Sequence, residues 1–538
     1  MAGRGQGREG VPRLRRGIPE RRASCRPARG ADAVGMPFRP PGQQRAAPDS
    51  RQAVVVNPDA GVRNASREGG TDGGHVFSVS ESVGGWTESR GAGTMEANAR
   101  FWERMMDAER ERFWRAAVAA MLLAWGFAGC RESQPDVSCQ VLDPEQAWHG
   151  TNRSQLDALM KTYGRCASTY NEARKPIAAF DWDNTVIKND VGDATFFYML
   201  AHDEVFQPPG KNWRLTSPWL TGDAVTALDA ACGALVEAGS RLPTSSQPAC
   251  AQELLTIYSE GKTTAGKAAW GGWNYRRMEP SYAWLAQLLA GHTRAEVRAI
   301  AEAAMAENLG NPIDTKQTIG SASVTHWVRV PGQMKDLLTS MQANGFDLWI
   351  ISASPQAVVE PWAQGVGIDA SHVIGIRTLE EGGKLGYNLE GCGDVPNGAN
   401  DGQGQVRGNS LITYIDGKRC WMNKVLFGVT GAAALEPNPD VSKRPLFAAG
   451  DSDTDLTFMR DATALRLAIN RNKKELMCNA YRNDDGRWLI NPMFIQPRPQ
   501  QAEPYACATT ACKAADGASI PCTDGMGAPI ADQADTVF

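Results

Sequence analysis

The sequence predicts an α/β protein with a parallel sheet and a helical region inserted after its first strand. Short apolar runs of strand length recur, and each is followed by polar residues and then by a segment with helical spacing. The first run, residues 176–180, is separated from the next, residues 346–351, by a long stretch that keeps helical spacing to about residue 310. Alternating strands and helices predict parallel strands with right-handed crossovers.

The composition agrees with an exported globular protein of two or three domains. The chain has 538 residues, and its net charge of −4 gives no indication of a nucleic-acid partner. Twelve cysteines are many for a cytosolic protein, and none belongs to a CxxC pair. This argues against a zinc site and favours an oxidising compartment.

The first 130 residues are predicted to lie outside the fold. Residues 1–94 are rich in Arg, Gly, Pro and Ser without a period, which is typical of a disordered basic tail or of a non-native extension. Under the second interpretation, which we favour, translation starts at Met95, Met105 or Met106. Residues 95–130 have the charged start, short apolar run and small-residue end of a secretory signal, with a buried helix as the alternative.

The end of this apolar run, residues 127–130, resembles a bacterial lipoprotein box. The resemblance implies that Cys130 is lipidated, that an outer-membrane or periplasmic location follows, and that the lipid anchor is the membrane contact. Ten later cysteines then remain, an even number that suits disulfides in an exported chain. We expect Cys232 to pair with Cys250, and some pairing within Cys507, Cys512 and Cys522.

The body of the chain begins with a helix that carries Leu156, Leu159 and Met160, followed by the strand 176–180. Helical spacing then covers residues 192–203, 222–238, 249–259 and 281–308. Within the last of these, Thr293 and Glu296 have the spacing of a capping box.

A helix at 333–343 leads to the second strand, 346–351, and residues 373–376 form a third. Residues 380–410, rich in Gly and Asn, are expected to be an exposed loop. A helix begins near Lys418, the next strand covers 445–449, and the tail after about residue 497 is expected to be irregular.

Polar residues follow these strands where open α/β sheets bind ligands. Asp181 and Asp183 follow the first strand and, two residues apart, face the same way. Ser352 follows the second strand, and Asp451 follows the strand at 445–449. The chain adds Lys418 before that strand and Asp455 after it.

In this order and spacing the six residues resemble the four motifs of the haloacid dehalogenase superfamily of phosphohydrolases. The insertion between the first two motifs is similar to that of the phosphoserine-phosphatase-like branch. The resemblance implies a Rossmann-like catalytic core at 139–190 and 320–495, a helical cap at 191–319, and an irregular Cys-containing tail at 496–538.

The resemblance also implies roles. Asp181 is the nucleophile that forms an aspartyl-phosphate, and Asp183 is the general acid and base. Ser352 and Lys418 bind the phosphoryl group. Mg²⁺ is held by Asp181, Asp451 and the main-chain carbonyl of Asp183, and Asp455 supports that site. Lys424 is a rival for Lys418, although Gly417-Lys418 at the start of a helix matches the family pattern better.

The expected substrate is a small phosphorylated metabolite. The cap is rich in aromatic residues, which favours cap packing or an aromatic cage for a quaternary ammonium group. Residues 282–287 and 291–293 look like the cap of exported bacterial phosphorylcholine phosphatases, so phosphorylcholine, phosphoethanolamine and phosphoserine are the candidates. The alternative is a catalytically silent surface lipoprotein that uses this fold for binding. Oligomeric state is not predicted.

Overall fold

A sheet of six parallel strands forms the centre of the structure, a computed structural model that describes residues 138–392 and 411–538. The strand order is β10-β9-β8-β1-β4-β5. This is the Rossmann-like α/β architecture expected from the sequence. In chain order, the strands are β1 (Ile177–Phe180), β2 (Lys316–Ile319), β3 (Ala322–Thr325), β4 (Asp347–Pro355), β5 (Val373–Ile376), β6 (Thr378–Glu381), β7 (Lys384–Leu389), β8 (Phe447–Gly450), β9 (Leu465–Asn470), β10 (Trp488–Pro492), β11 (Cys512–Lys513) and β12 (Ser519–Ile520).

Strand β1 lies between β8 and β4, with Ala178 paired to Phe447 on one side and to Leu348 on the other. Both faces of the sheet are covered. Ala178 and Phe180 belong to one apolar core cluster, whereas Ala179 belongs to the cluster on the opposite face. Burial of both faces explains why this strand is a continuous apolar run without alternation.

Helices cover the sheet and fill the insertion between β1 and β4. They are α1 (Asn152–Tyr163), α2 (Val191–Ala201), α3 (Gly222–Cys232), α4 (Pro248–Glu260), α5 (Pro280–Leu288), α6 (Arg294–Gly310), α7 (Gly332–Ala343), α8 (Gln356–Gln364), α9 (Asp416–Phe427), α10 (Leu456–Asp461) and α11 (Lys474–Arg482). No described helix is both long and apolar enough to cross a membrane.

Three details differ from the sequence-based expectation. The predicted helix at 281–308 is two helices, because Gly291 has φ +93° and the capping box of Thr293 and Glu296 starts α6 afresh. Strand β4 continues through Ser352 to Pro355. Residues 380–389 of the loop expected at 380–410 belong to the hairpin β6–β7; residues 393–410 of that loop lie outside the described residues.

Two strands of the central sheet, β9 and β10, have no counterpart in the sequence-based prediction. Arg466 interrupts the apolar pattern of β9, yet its side chain is buried. Its guanidinium donates to the carbonyls of Met459, Arg460 and Ala462 and pairs with Asp485. Because these acceptors satisfy the guanidinium, a charged residue can be buried in this strand. The hydrophobic period of the sequence does not reveal such acceptors.

Five disulfides connect the ten described cysteines. The predicted Cys232–Cys250 bond is confirmed, and the predicted pairing within the tail is Cys512–Cys522. Cys507 instead bonds Cys478 on α11, which attaches the tail to the core. The other two bonds are Cys139–Cys166 and Cys392–Cys420. Five disulfides suggest an extracellular or periplasmic protein. The signal segment and Cys130 lie outside the described residues.

Candidate functional site

Asp181 and Asp451 lie side by side because they follow neighbouring parallel strands. The amide of Asp181 donates to the carbonyl of Ala449 on β8 over 2.9 Å, which extends the ladder one residue past β1. One turn further, the Thr185 hydroxyl contacts both carboxylates, 2.8 Å from Asp181 Oδ2 and 3.2 Å from Asp451 Oδ1. The sheet therefore brings two buried acids together at its carboxyl edge.

Lys418 joins these acids from α9. Its Nζ lies 2.6 Å from Asp181 Oδ1 and 2.6 Å from Asp455 Oδ1, and the side chain is fully buried. Burial lowers the pKa of Lys418, but the two carboxylates outweigh it and raise that pKa above its usual value. Burial raises the pKa of Asp181 to about 6, with Lys418 opposing the shift. The lysine is thus held as a cation between two acids.

The start of α9 explains why a Gly-Lys pair occurs here. A Cβ atom on Gly417 would lie 1.7 Å from the carbonyl oxygen of Ile412, so no other residue fits. Ile415, immediately before the helix, has φ +44°, a conformation that a β-branched residue rarely adopts. Its carbonyl is held by the Thr457 hydroxyl at 2.6 Å. This tight turn aims Lys418 at the end of the sheet.

Both carboxylate oxygens of Asp455 accept hydrogen bonds from neighbouring groups of the site. Its Oδ2 accepts from the backbone amides of Asp451 and Ser452 at 3.0 and 2.9 Å. Its Oδ1 accepts from Lys418 and from the Thr454 hydroxyl. Both oxygens are therefore occupied, and the carboxylate fixes the turn that carries Asp451.

Asp183 points away from Lys418, towards the end of β4. Its Oδ1 accepts from the Val191 amide at 2.8 Å, and its Oδ2 lies 2.7 Å from the Ser354 hydroxyl and 3.4 Å from that of Ser352. The Ser352 hydroxyl itself accepts from the Ser354 amide at 3.0 Å. Burial raises the pKa of Asp183 well above its usual value, which suits a group that gives and takes protons.

A divalent cation fits the carboxylate group at this edge. Side-chain oxygens of Asp181, Asp451 and Asp455 all lie within 4.8 Å of one another. Asp451 Oδ2 is buried and has no hydrogen bond among the described residues. It does lie 2.7 Å from Arg471 Nε, but the two groups are not aligned for a hydrogen bond, so the contact is ionic. Hard oxygen donors with one such open atom suit Mg²⁺.

A cleft of about 480 Å³, including its part open to solvent, runs from these acids to the cap. On the core side it is bounded by Ser354 and Arg471, and on the cap side by Asp190, Tyr258 and Tyr282. Asp190 caps α2 by accepting from the Asp193 amide at 2.9 Å, and Tyr258 donates to Asp193 at 2.8 Å. The acids at the sheet edge thus face Asp190 and two tyrosines across the cleft.

The aromatic residues of the cap divide into two groups. Trp213, Trp219, Trp270 and Trp284 are buried in the apolar core, as cap packing predicts. Tyr282 lines the cleft and is 37% exposed. Arg276 of the cap region pairs with Asp416 and Glu475 and is not among the residues that line the cleft. Among the described residues, the aromatic side chains that line the cleft are Tyr258 and Tyr282.

Lys424 lies elsewhere. Its Nζ contacts the Gly391 carbonyl at 3.2 Å and Glu390 at 3.6 Å, and it lies over the Trp421 ring at 4.3 Å. The structure therefore places Lys418, and not Lys424, among the acids.

No role is assigned from the sequence to several residues of the site, among them Thr185, Asp190, Tyr258, Ser354 and Arg471. Thr185 is one turn after Asp181, a spacing that sequence reasoning can use. Arg471 directly follows a strand end, which is also a usable signal once β9 is identified.

Residues 261–460 match the family model for haloacid dehalogenase-like hydrolase. This range contains Ser352, Lys418, Asp451 and Asp455 and begins after Asp181 and Asp183. No curated protein sequence matches the chain.

Solved structures with some likeness share little sequence. A conserved functionally unknown protein from Anaerococcus prevotii DSM 20548 is 20% identical, with a TM-score of 0.48 over 66% of this chain and 94% of that one. A protein with unknown function from Bordetella pertussis Tohama I is 15% identical, with a TM-score of 0.33 over 59% of this chain and 99% of that one. A phosphoserine phosphohydrolase-like protein from Francisella tularensis subsp. tularensis SCHU S4 is 13% identical, with a TM-score of 0.25 over 55% of this chain and 87% of that one. These scores carry no argument about activity.

Proposed function

We propose, because residues 261–460 match the family model for haloacid dehalogenase-like hydrolase, that the chain is a Mg²⁺-dependent phosphomonoester hydrolase acting through an aspartyl-phosphate. The convergence of Asp181, Lys418 and Asp451 from three distant segments supports this most strongly. A buried carboxylate held by a lysine and a hydroxyl, beside an open cleft, has the environment of a positioned nucleophile.

In the first half-reaction, a carboxylate oxygen of Asp181 attacks phosphorus. The bond between phosphorus and the leaving oxygen breaks, and Asp183 gives that oxygen its proton. In the second, water attacks the aspartyl-phosphate, Asp183 takes a proton from the water, and the bond from phosphorus to Asp181 breaks to release inorganic phosphate. Ser354 keeps the Asp183 carboxyl turned towards the cleft throughout.

Asp181, Asp451 and the main-chain carbonyl of Asp183 would hold the cation. When bound, Mg²⁺ offsets the negative charge that otherwise separates a carboxylate from an anionic ester. Lys418 and Ser352 bind phosphoryl oxygens, and Asp455 keeps Lys418 and the Asp451 turn in place. Positioning and charge balance then supply most of the rate.

The acidic wall of the cleft favours a substrate whose leaving group is cationic. Asp190 lines the cleft beside Tyr258 and Tyr282, and Asp193 lies behind them, where it accepts from the Tyr258 hydroxyl. A cation is attracted both to carboxylates and to aromatic faces. Phosphorylcholine, phosphoethanolamine and phosphoserine all present an ammonium group. We place these esters first among small phosphorylated metabolites.

Location follows from the N-terminal segment. We propose that the protein is exported and that Cys130 is lipidated. The lipid on Cys130 would then be the only attachment of the protein to the outer membrane or its periplasmic side. We also propose the division into core, cap (191–319) and tail. Mass spectrometry of the N-terminal peptide from the native host would test both the start site and the lipid.

Phosphate release from a generic aryl phosphate tests the activity. We expect release with Mg²⁺, none with a chelator, and restoration when Mg²⁺ is returned. Asp181→Asn is the matched control, because it keeps the shape of the nucleophile and removes its charge. Absence of release from wild type with Mg²⁺ would sink the proposal. A panel of the three ammonium-bearing esters against the aryl phosphate then tests the leaving group.

A further inference from the structure

Arg471 is the second cation at the carboxylate edge. It directly follows Asn470, the last residue of β9, and β9 lies next to β8, whose end carries Asp451. Its Nε lies 2.7 Å from Asp451 Oδ2, and its side chain lines the cleft at 21% exposure. The sheet order therefore places the guanidinium beside the acids, where a ligand in the cleft can reach it.

The guanidinium of Arg471 is unusually short of partners. Arg419 makes four hydrogen bonds from α9, two of them to Asp461, and Arg466 makes four from β9. Within residues 138–392 and 411–538, Arg471 makes none, and its contact with Asp451 is ionic and misaligned. A buried N–H group normally has a hydrogen-bond acceptor, so the buried Nε–H of Arg471 is an exception, and the rest of its guanidinium remains accessible from the cleft.

Donors for a phosphate group are otherwise scarce at this edge. Lys418 donates two of its three N–H groups to Asp181 and Asp455. The Ser352 hydroxyl is engaged with Ser354 and lies near Asp183. An entering phosphate monoester brings up to two negative charges into a site that already holds three buried carboxylates. A planar fork of N–H groups is well matched to phosphate oxygens.

We propose that Arg471 binds the phosphoryl group directly, donating to its non-bridging oxygens in the substrate and in the product phosphate. This inference rests on the proposed phosphatase function. Asp451 holds the guanidinium over the cleft before the ester enters. A cation held by Asp451 would offset the negative charge that Arg471 faces, and the phosphoryl oxygens would then attract the guanidinium more strongly than Asp451 does.

The test uses binding of inorganic phosphate as well as turnover. Titration calorimetry with Mg²⁺ present compares wild type with Arg471→Met, Arg471→Lys and the control Lys474→Met. Lys474 is exposed at the start of α11, three residues from Arg471, and its replacement removes the same charge outside the cleft. We expect Arg471→Met to weaken phosphate binding about 10- to 100-fold, Arg471→Lys to weaken it less, and Lys474→Met to leave it unchanged.

Turnover of an aryl phosphate and the affinity for Mg²⁺ separate this role from a structural one. We expect kcat/KM of Arg471→Met to fall at least as far as phosphate affinity, with Mg²⁺ affinity kept or increased. A fall in Mg²⁺ affinity with unchanged phosphate binding would show that Arg471 serves Asp451 alone, and would overturn the inference. Equal phosphate affinity and turnover in wild type and Arg471→Met would also overturn it.

Failure of the proposed function gives a different pattern. A wild type that binds phosphate without hydrolysing esters refutes the phosphatase, yet loss of binding in Arg471→Met still supports the inference. A wild type that does neither overturns both. Thermal unfolding of each variant identifies misfolding, and Arg471→Lys, which keeps the charge, then provides the comparison.

Discussion

Asp181 and Lys418, 237 positions apart in the chain, form a buried ion pair with 2.6 Å between Oδ1 and Nζ. The lysine is completely buried and also holds Asp455. A buried cation between two carboxylates is costly to desolvate and costly to break, because each partner left alone is an unpaired charge. This pair links the first strand to the helix α9 and to the turn after β8.

Lys418→Met should abolish most turnover and also weaken the fold. Two buried carboxylates lose their counterion, so we expect phosphate release to fall about 100- to 1000-fold and the free energy of unfolding to fall by about 3–5 kcal/mol. Steady-state kinetics and urea unfolding measure the two effects. Lys424→Met is the control, because Lys424 contacts Glu390 and Trp421 and no acid of the site. Equal losses in both variants would contradict the assignment of Lys418.

Asp183→Asn should reduce hydrolysis while the fold survives. The amide oxygen of Asn still accepts from the Val191 amide, and its NH₂ group meets the Ser354 hydroxyl. Without a transferable proton, we expect kcat to fall about 10²- to 10⁴-fold with an unchanged midpoint of thermal unfolding. Undiminished turnover would refute the acid–base role of Asp183.

The preference for a cationic leaving group should depend on pH. Burial, with Asp190 as the next cause, raises the pKa of Asp193 to about 7. As the pH rises through about 7 we expect Asp193 to lose its proton, and its carboxylate, which lies behind Tyr258, then adds negative charge near the cleft. We expect the ratio of kcat/KM for phosphorylcholine to that for an aryl phosphate to rise between pH 6 and pH 8.

The ratio in this experiment cancels the titration of the phosphate group, which both esters share. Arg471, Tyr258 and Asp190 also act on Asp193, so the control changes Asp193 alone. Asp193→Asn should give a ratio that is flat between these pH values. A rise that persists in Asp193→Asn would assign the dependence to another group.

Removing the Cys232–Cys250 bond should destabilise the cap. The bond joins α3 to α4 across 18 residues, and a loop of about this size contributes roughly 3 kcal/mol through the unfolded chain. We expect Cys232→Ala with Cys250→Ala to lower the urea midpoint by a corresponding amount. The tail pair Cys512 and Cys522, across 10 residues, provides a comparison with a somewhat smaller loss. An unchanged midpoint in the cap variant would argue against this bond.

The sequence by itself determined the fold class and the types of residue at the strand ends. Apolar runs predict buried strands because burial on both faces demands them, and this holds for β1, β5 and β8. The hydrophobic period and the composition of a segment indicate only whether its own residues are expected to be buried. They therefore missed β9, whose Arg466 is satisfied by distant carbonyls, and the hairpin β6–β7.

Tertiary structure alone decided which groups meet. The order β9-β8-β1-β4 brings Arg471, Asp451, Asp181 and Ser354 to one edge, although they belong to four different strand ends between positions 181 and 471. It also decided that Lys418 reaches Asp181 and Lys424 does not, and that Cys507 pairs with Cys478. The physical reason is that such contacts depend on strand order and on how the crossovers pack, and neither is encoded in local spacing.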